Sequence, residues 1–281
     1  MPKFLTEQVT RIAPSAPPPP EEFFERYVRS GTPILMKGLV KDWPAVECWT
    51  PDYLAGLTAS MGDIQVPYRS TPSDMPRLEL ARIQCGKMSL LELLTECSRS
   101  PEGDELYVPG LDLPQNTSLA RDVGIPSILT QVHVYATTVF LGRNTQCLGH
   151  YHPKTQALLC QVQGIKRVWM YSPDEMRKLY VFPFWSQTFF QSQVNYYGDR
   201  TQFPRLTRAR CQEFELHPGD ALFIPLHWLH VPEGKGWNLS VTHWWRPSLP
   251  EWTYSFATAR TLLGIGCEAI RQLFYKRRWL H

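Results

Sequence analysis

Residues 218–230 read Pro218-Gly219-Asp220-Ala221-Leu222-Phe223-Ile224-Pro225-Leu226-His227-Trp228-Leu229-His230. Proline, glycine and aspartate together are turn chemistry: one presets φ, one tolerates the left-handed region, one bonds to nearby backbone. The apolar run 221–224 suits a buried strand, and Pro225 stops it because proline brings no N–H to a ladder. Tryptophan and two histidines then gather just past the strand end. A barrel strand finishing at an open mouth has this layout.

Far upstream lies a second histidine segment, Gly149-His150-Tyr151-His152-Pro153. In an extended strand residues i and i+2 share a face, so His150 and His152 can aim two imidazoles at one point while Tyr151 faces away. Neutral imidazole is the commonest metal ligand. His230, from a distant strand, is a natural third ligand if the sheet closes. The plainer alternative is a set of exposed or separately hydrogen-bonded histidines.

Around these segments the pattern predicts short strands at 132–141, 157–162, 166–171, 211–216, 221–224 and 239–245. Gln163-Gly164 and Pro218-Gly219-Asp220 stand between consecutive strands as tight turns. Such spacing predicts a sandwich or barrel. Before it, residues 21–29 read as a short helix ended by Gly31 and Pro33, and 34–36 as a buried strand. Thr50-Pro51 starts a helix, and Ser89 with Glu92 has capping-box spacing. Residues 1–20 form an arm ending in Ala-Pro-Ser-Ala-Pro-Pro-Pro-Pro, either a stiff spacer or a ligand for an SH3-type domain. The span 21–247 holds the barrel and its N-terminal α/β elaboration. Residues 248–281 form a helical tail in which Trp252, Phe256, Leu263, Ile270 and Phe274 recur at near-helical spacing. Such a tail either packs on the barrel or pairs two copies as a homodimer.

The 281 residues include 25 prolines and 17 glycines, with 43% hydrophobic and 12% aromatic residues, enough apolar surface for a core. A net charge of +3 without an extended basic block argues against nucleic acid as partner. No apolar run approaches spanning length, so no membrane is expected, and Met1-Pro2-Lys3-Phe4 lacks the apolar stretch of a signal peptide. Seven scattered cysteines without a Cys-x-x-Cys pair read as reduced thiols, which predicts a cytoplasmic protein, or a nuclear one in a eukaryote.

Taken together, these segments resemble the JmjC-type, cupin-like family of iron(II)- and 2-oxoglutarate-dependent oxygenases, in the group of the asparaginyl hydroxylase that inhibits HIF. The likeness rests on Gly31-Thr32-Pro33-Ile34-Leu35-Met36-Lys37-Gly38-Leu39 with Asp42-Trp43-Pro44, on 158–167 as the hairpin after the first metal motif, and above all on Phe203-Pro204 followed by 218–230. It implies a mainly β fold with flanking helices, a double-stranded β-helix (cupin or jelly-roll barrel) of JmjC type. It also implies Fe(II) as cofactor, 2-oxoglutarate as co-substrate, and hydroxylation of an amino-acid side chain in a protein, a peptide or a small molecule.

Carried over residue by residue, His150 is the first metal ligand and His230 the distal one, while His152 stands where the family has a carboxylate. That leaves three readings open. All three histidines hold the metal, or the site works as a three-histidine dioxygenase without 2-oxoglutarate, or the barrel is impaired and serves as a binding module. Lys166 matches the basic anchor for the distal carboxylate of 2-oxoglutarate. Two lesser anchors depart, with Cys147 at a hydroxyl position and Ala157 at an asparagine position. Thr242 stands where asparagine often follows the distal histidine, and Tyr135 and Thr138 are candidate replacement hydroxyls. His227 is expected at the rim or behind the ligands, with His133, His217, His243 and His281 structural or exposed. Trp228, Trp244 and Trp245 are read as barrel packing, and Tyr68, Arg69, Trp185, Gln187, Tyr196 and Tyr197 as candidates for the mouth.

Overall fold

Ahead of the first helix the proline-rich arm is held at two places: residues 9–11 pair in parallel with 211–213, and the Ser15 N–H donates to the Leu35 carbonyl and the Lys37 N–H to the Ser15 carbonyl, both at 2.8 Å. The computed structural model describes residues 8–61, 64–70, 84–100, 102–113, 118–197, 201–252 and 257–278. Its strands are β1 (Val9–Arg11), β2 (Ile34–Met36), β3 (Gln65–Ser70), β4 (Gln84–Ser89), β5 (Leu106–Asp112), β6 (Val134–Arg143), β7 (Gln156–Tyr171), β8 (Cys211–Leu216), β9 (Ala221–Ile224) and β10 (Leu229–Trp245). Its helices are α1 (Pro20–Phe23, continued by a π-turn over Phe24–Val28), α2 (Pro44–Cys48), α3 (Pro51–Met61), α4 (Leu90–Arg99), α5 (Ser118–Asp122) and α6 (Ala257–Arg278). His281, Phe256 and the side chain of Phe274 lie outside the described residues.

One sheet carries the fold, in the order β1-β8-β7-β10-β6-β5-β3-β4, with β9 bridging β7 to β2. The turn at 218–220 forms as its residues dictate. The Asp220 carboxylate accepts the His217 N–H at 3.0 Å and the Gly38 N–H at 2.9 Å, which ties the turn to the end of β2. Strands β8 and β9 on either side keep the bounds expected from sequence.

Strand β7 differs from expectation. No hairpin forms at Gln163-Gly164; a single strand runs through it, antiparallel to the slightly longer β10. Gly164 kinks the strand at φ 72°, and the register shifts between Lys235 and Leu239 absorb the extra residues of β10. A Cβ at Gly164 would sit 2.2 Å from the Trp237 carbonyl oxygen. Gly164→Ala is therefore expected to cost about 2–3 kcal/mol, from left-handed strain plus the clash. Urea denaturation should show this as a lower midpoint.

Alternation along β7 sends Ala157, Leu159, Val168 and Met170 into one apolar layer with Phe214, Leu216, Leu222, Ile224 and Trp228. This is the barrel interior, and Lys166 falls on the same face. The outer faces are covered too. Helices α3 and α4 pack Leu54, Leu90, Leu93 and Leu94 over β5, β6 and β10. Ser89 precedes α4 but makes no side-chain capping bond, so the helix start rests on this packing rather than on a capping box.

The tail helix α6 packs on the barrel: Ala257, Thr261 and Gly264 are buried and Ile265 joins the cluster around Tyr151 and Phe189. Its other face leaves Leu262, Leu263 and Ile270 each 55% exposed.

Candidate metal centre

His230 sits at the start of β10, one residue past the turn that follows β9. Its N–H and carbonyl exchange bonds with the carbonyl and N–H of His150 at 2.8 and 3.1 Å, an isolated bridge that brings the two segments together. His152 follows, and the ring centroids of His150 and His152 lie 4.3 and 4.5 Å from that of His230. One nitrogen from each imidazole falls within 4.8 Å of the others.

Two of the three rings are aimed from behind. His150 Nδ1 meets the Leu148 carbonyl at 2.8 Å and His230 Nδ1 the Trp228 carbonyl at 3.0 Å. A carbonyl can only accept, so Nδ1 carries the proton and Nε2 keeps its lone pair. The buried Nδ1 of His152 has no such partner, and its ring is braced instead by the edge of Trp244 at 4.7 Å. Burial holds all three imidazoles below the usual histidine range, and mutual repulsion deepens the shift at His152 and His230. They are neutral at neutral pH, which is the state that ligates.

Lys166 reaches into the same interior. It is 5% exposed and its ammonium donates to Ser240 Oγ at 2.5 Å. Among the described residues it has no carboxylate partner, and burial pulls its pKa down to about 8. On β10 the Thr242 hydroxyl lies on the Ser240 side of the strand, opposite Thr138 of β6, and is buried with no hydrogen-bond partner. Thr138 Oγ1 accepts the Trp244 indole N–H at 3.1 Å and donates to Asp112 at 3.4 Å. Cys147 donates its thiol to Tyr107 Oη at 3.5 Å and lies near enough to Lys166 to influence its charge.

Tyr135 is not brought to this group. It is 45% exposed at the start of β6, under the Arg246 guanidinium. Ala157 is fully buried opposite Trp244 and offers no polar atom.

Several neighbours were not legible in the sequence. Tyr107 on β5 belongs to a strand that no pattern announced. Ser240 shares a face with Thr242 by simple alternation, a signal that could have found it. Arg69 on β3 was expected at the mouth. Its guanidinium lies 5.2 Å over the Tyr107 ring, pairs with buried Glu105 at 2.6 Å and donates to the Gln146 carbonyl. After burial and the Leu148 bond, its charge is a further influence on His150.

Other expectations need correction. Tyr196 lies in the core, 1% exposed, and not at the mouth. Trp244 faces the histidines, whereas Trp245 stacks on Phe223 and Trp228 donates to the Gly31 carbonyl as packing residues. Of the two places expected for His227, it takes the buried one behind the ligands, and His243 packs on Trp43 as a structural residue. Trp185 and Gln187 are exposed, Tyr68 is partly covered, and half-buried Tyr197 donates to the Pro232 carbonyl at 3.2 Å.

Fold and site together define a cupin-like barrel with a three-histidine cluster that could hold a metal and a buried lysine beside it. A model of the cupin-like domain matches residues 20–250. The chain belongs to this cupin-like family, and the relatives it matches include proteins named as lysine-specific demethylases and JmjC-domain proteins. It is 27% identical to lysine-specific demethylase 8 of Xenopus tropicalis, over 80% of this chain and 50% of that protein. It is 26% identical to Jumonji C domain-containing protein 5 of Drosophila melanogaster, over 80% of this chain and 57% of that protein. With tRNA wybutosine-synthesizing protein 5 of Danio rerio the identity is 29%, over 50% of this chain and 41% of that protein. The chain thus spans about half the length of the curated relatives it matches.

Enzymes of this family use Fe(II) and 2-oxoglutarate, and the residues present fit both. Three neutral nitrogens converge for the metal. An ammonium with no carboxylate partner among the described residues and an unpartnered hydroxyl fit a carboxylate-bearing co-substrate.

Proposed function

We propose that this chain hydroxylates an amino-acid side chain of a protein, peptide or small-molecule substrate, with iron held by His150, His152 and His230. The observation that carries the reading is Lys166. A buried ammonium whose hydrogen bond among the described residues goes to a hydroxyl is costly, and a ligand carboxylate would offset that cost. When bound, iron and 2-oxoglutarate would supply oxidation of a C–H bond by O₂, with carbon dioxide and succinate as co-products.

The protein's part is to hold and orient. Lys166 takes the distal carboxylate, and the hydroxyls of Ser240 and Thr242 complete its hydrogen bonds, the Thr138 hydroxyl being engaged by Asp112 and Trp244. Leu159, Val168 and Met170 exclude water around them. Seven free cysteines support a reducing cytoplasmic or nuclear setting. Among the described residues no helix is long and apolar enough to cross a membrane. Pairing of two copies through the exposed face of α6 belongs to the same proposal, and light scattering in solution would read it.

Anaerobic metal titration followed by a succinate assay with a peptide library tests the reading. One equivalent of iron and succinate release dependent on 2-oxoglutarate are expected. Iron without succinate would favour the dioxygenase that needs no co-substrate, and absence of stoichiometric metal would favour a binding module.

A further inference from the structure

We infer that Arg260 on α6 is a positioning residue for the metal centre, acting through the hydroxyl of Tyr151 to hold the ligand segment from behind. The inference rests on the metal-centre reading above. Its starting point is a gap in the backbone ladder. His150 has an isolated bridge to His230, but Tyr151 and His152 belong to no strand. His152 also lacks the Nδ1 bond that aims the other two rings. Something else must set the direction of this segment.

Tyr151 is the residue placed to do so. It lies between the two ligands in sequence, faces away from them and is fully buried. Its N–H donates to the Phe190 carbonyl at 2.9 Å, and its hydroxyl accepts from Arg260 Nη1 at 2.9 Å with Thr261 Oγ1 at 3.5 Å. The same guanidinium donates to the carbonyls of Phe189 and Phe182. Arg260 therefore ties α6, the 182–190 loop and the back of the ligand segment into one unit. The packing is tight: a Cβ on Gly264 would come within 2.7 Å of the Phe189 ring.

The third ligand is reached as well. The Tyr151 ring meets His227 edge-on at 5.8 Å, and the His227 N–H points to the His152 carbonyl at 3.4 Å. His227 holds φ at 66° in the corner that leads to His230. A planar fork with several donors suits this task, because it fixes direction as well as distance.

The test uses the full chain and Co(II) as a spectroscopic probe of the site. Tyr151→Phe and Arg260→Met are each expected to weaken Co(II) binding about tenfold, the low end for loss of an outer partner of a metal ligand. Both should alter the visible Co(II) bands, and the double variant should be little worse than either single one. Arg260→Lys should recover part of the affinity. Ile265→Ala, which thins the same packing without touching the Tyr151 hydroxyl, should lower the melting temperature and leave Co(II) affinity unchanged. Unchanged affinity and spectra in Tyr151→Phe and Arg260→Met would overturn the inference, as would an equal loss in Ile265→Ala. A wild-type protein that binds no Co(II) would overturn the metal-centre reading itself, a result separable from unchanged variants.

Discussion

Lys166→Met is expected to weaken 2-oxoglutarate binding about 30- to 100-fold while leaving the metal in place. A charge-assisted hydrogen bond to a buried carboxylate accounts for roughly 2–3 kcal/mol, and each 1.4 kcal/mol is about tenfold. Metal-free protein should respond in the opposite sense. Burial lowers the Lys166 pKa to about 8, so the charged form is disfavoured in the folded state. The unfolded chain keeps a pKa near 10.4, so the cost is roughly 3 kcal/mol at most. It is fully present below pH about 8 and is lifted as pH rises from there toward 10.4, because in that window the unfolded state binds more protons. Wild-type stability should therefore gain on Lys166→Met across this window, and thermal melts at pH 7 and 9.5 would show it. Binding follows the other sign: 2-oxoglutarate affinity should fall by up to tenfold per pH unit above about 8, as the free protein loses the ammonium. Calorimetric titrations at pH 7 and 9 that gave equal affinities would remove Lys166 from the co-substrate site.

His152→Ala is expected to weaken iron binding more than about 100-fold, beyond the usual effect of losing an outer-sphere partner. Retention of wild-type affinity would show that His152 is not a ligand. His152→Asp separates charge from geometry. It recreates two histidines and a carboxylate, the arrangement typical of non-haem ferrous oxygenases. A carboxylate there attracts a divalent ion, but in the metal-free protein it is buried against Trp244 with no cation among the described neighbours of His152. Such a group is unfavourable until paired. The variant should melt below wild type without metal and show a larger stabilisation on adding iron. Differential scanning calorimetry with and without anaerobic Fe(II) reads both.

What could be read from residues alone was local. Ile34–Met36, Cys211–Leu216 and Ala221–Ile224 have the strand bounds that turn residues and apolar runs predict, because each is delimited by neighbours a few positions away. Gly164 shows where that logic stops. Beside Gln163 it reads as a tight turn, yet the long pairing with β10 carries the strand through it. Tyr196 reads as a mouth residue by its place in a loop-like segment, and tertiary packing buries it.

The histidines themselves, their i, i+2 spacing and the turn before His230 are properties of the chain and supply the ligand candidates, while the cupin-like class came from the resemblance of the longer motifs around them. Whether those ligands meet, and what surrounds them, was decided only in three dimensions. Arg69 of β3, Tyr107 of β5, Thr138 of β6, Lys166 of β7 and Ser240 of β10 become neighbours of one interior because the sheet folds over on itself. Tyr151 illustrates the same division. Alternation says that it faces away from the metal, but only the docking of α6 sets Arg260 against its hydroxyl. Spacing in sequence reports which face a side chain takes, while its partners depend on contacts closed over long stretches of chain.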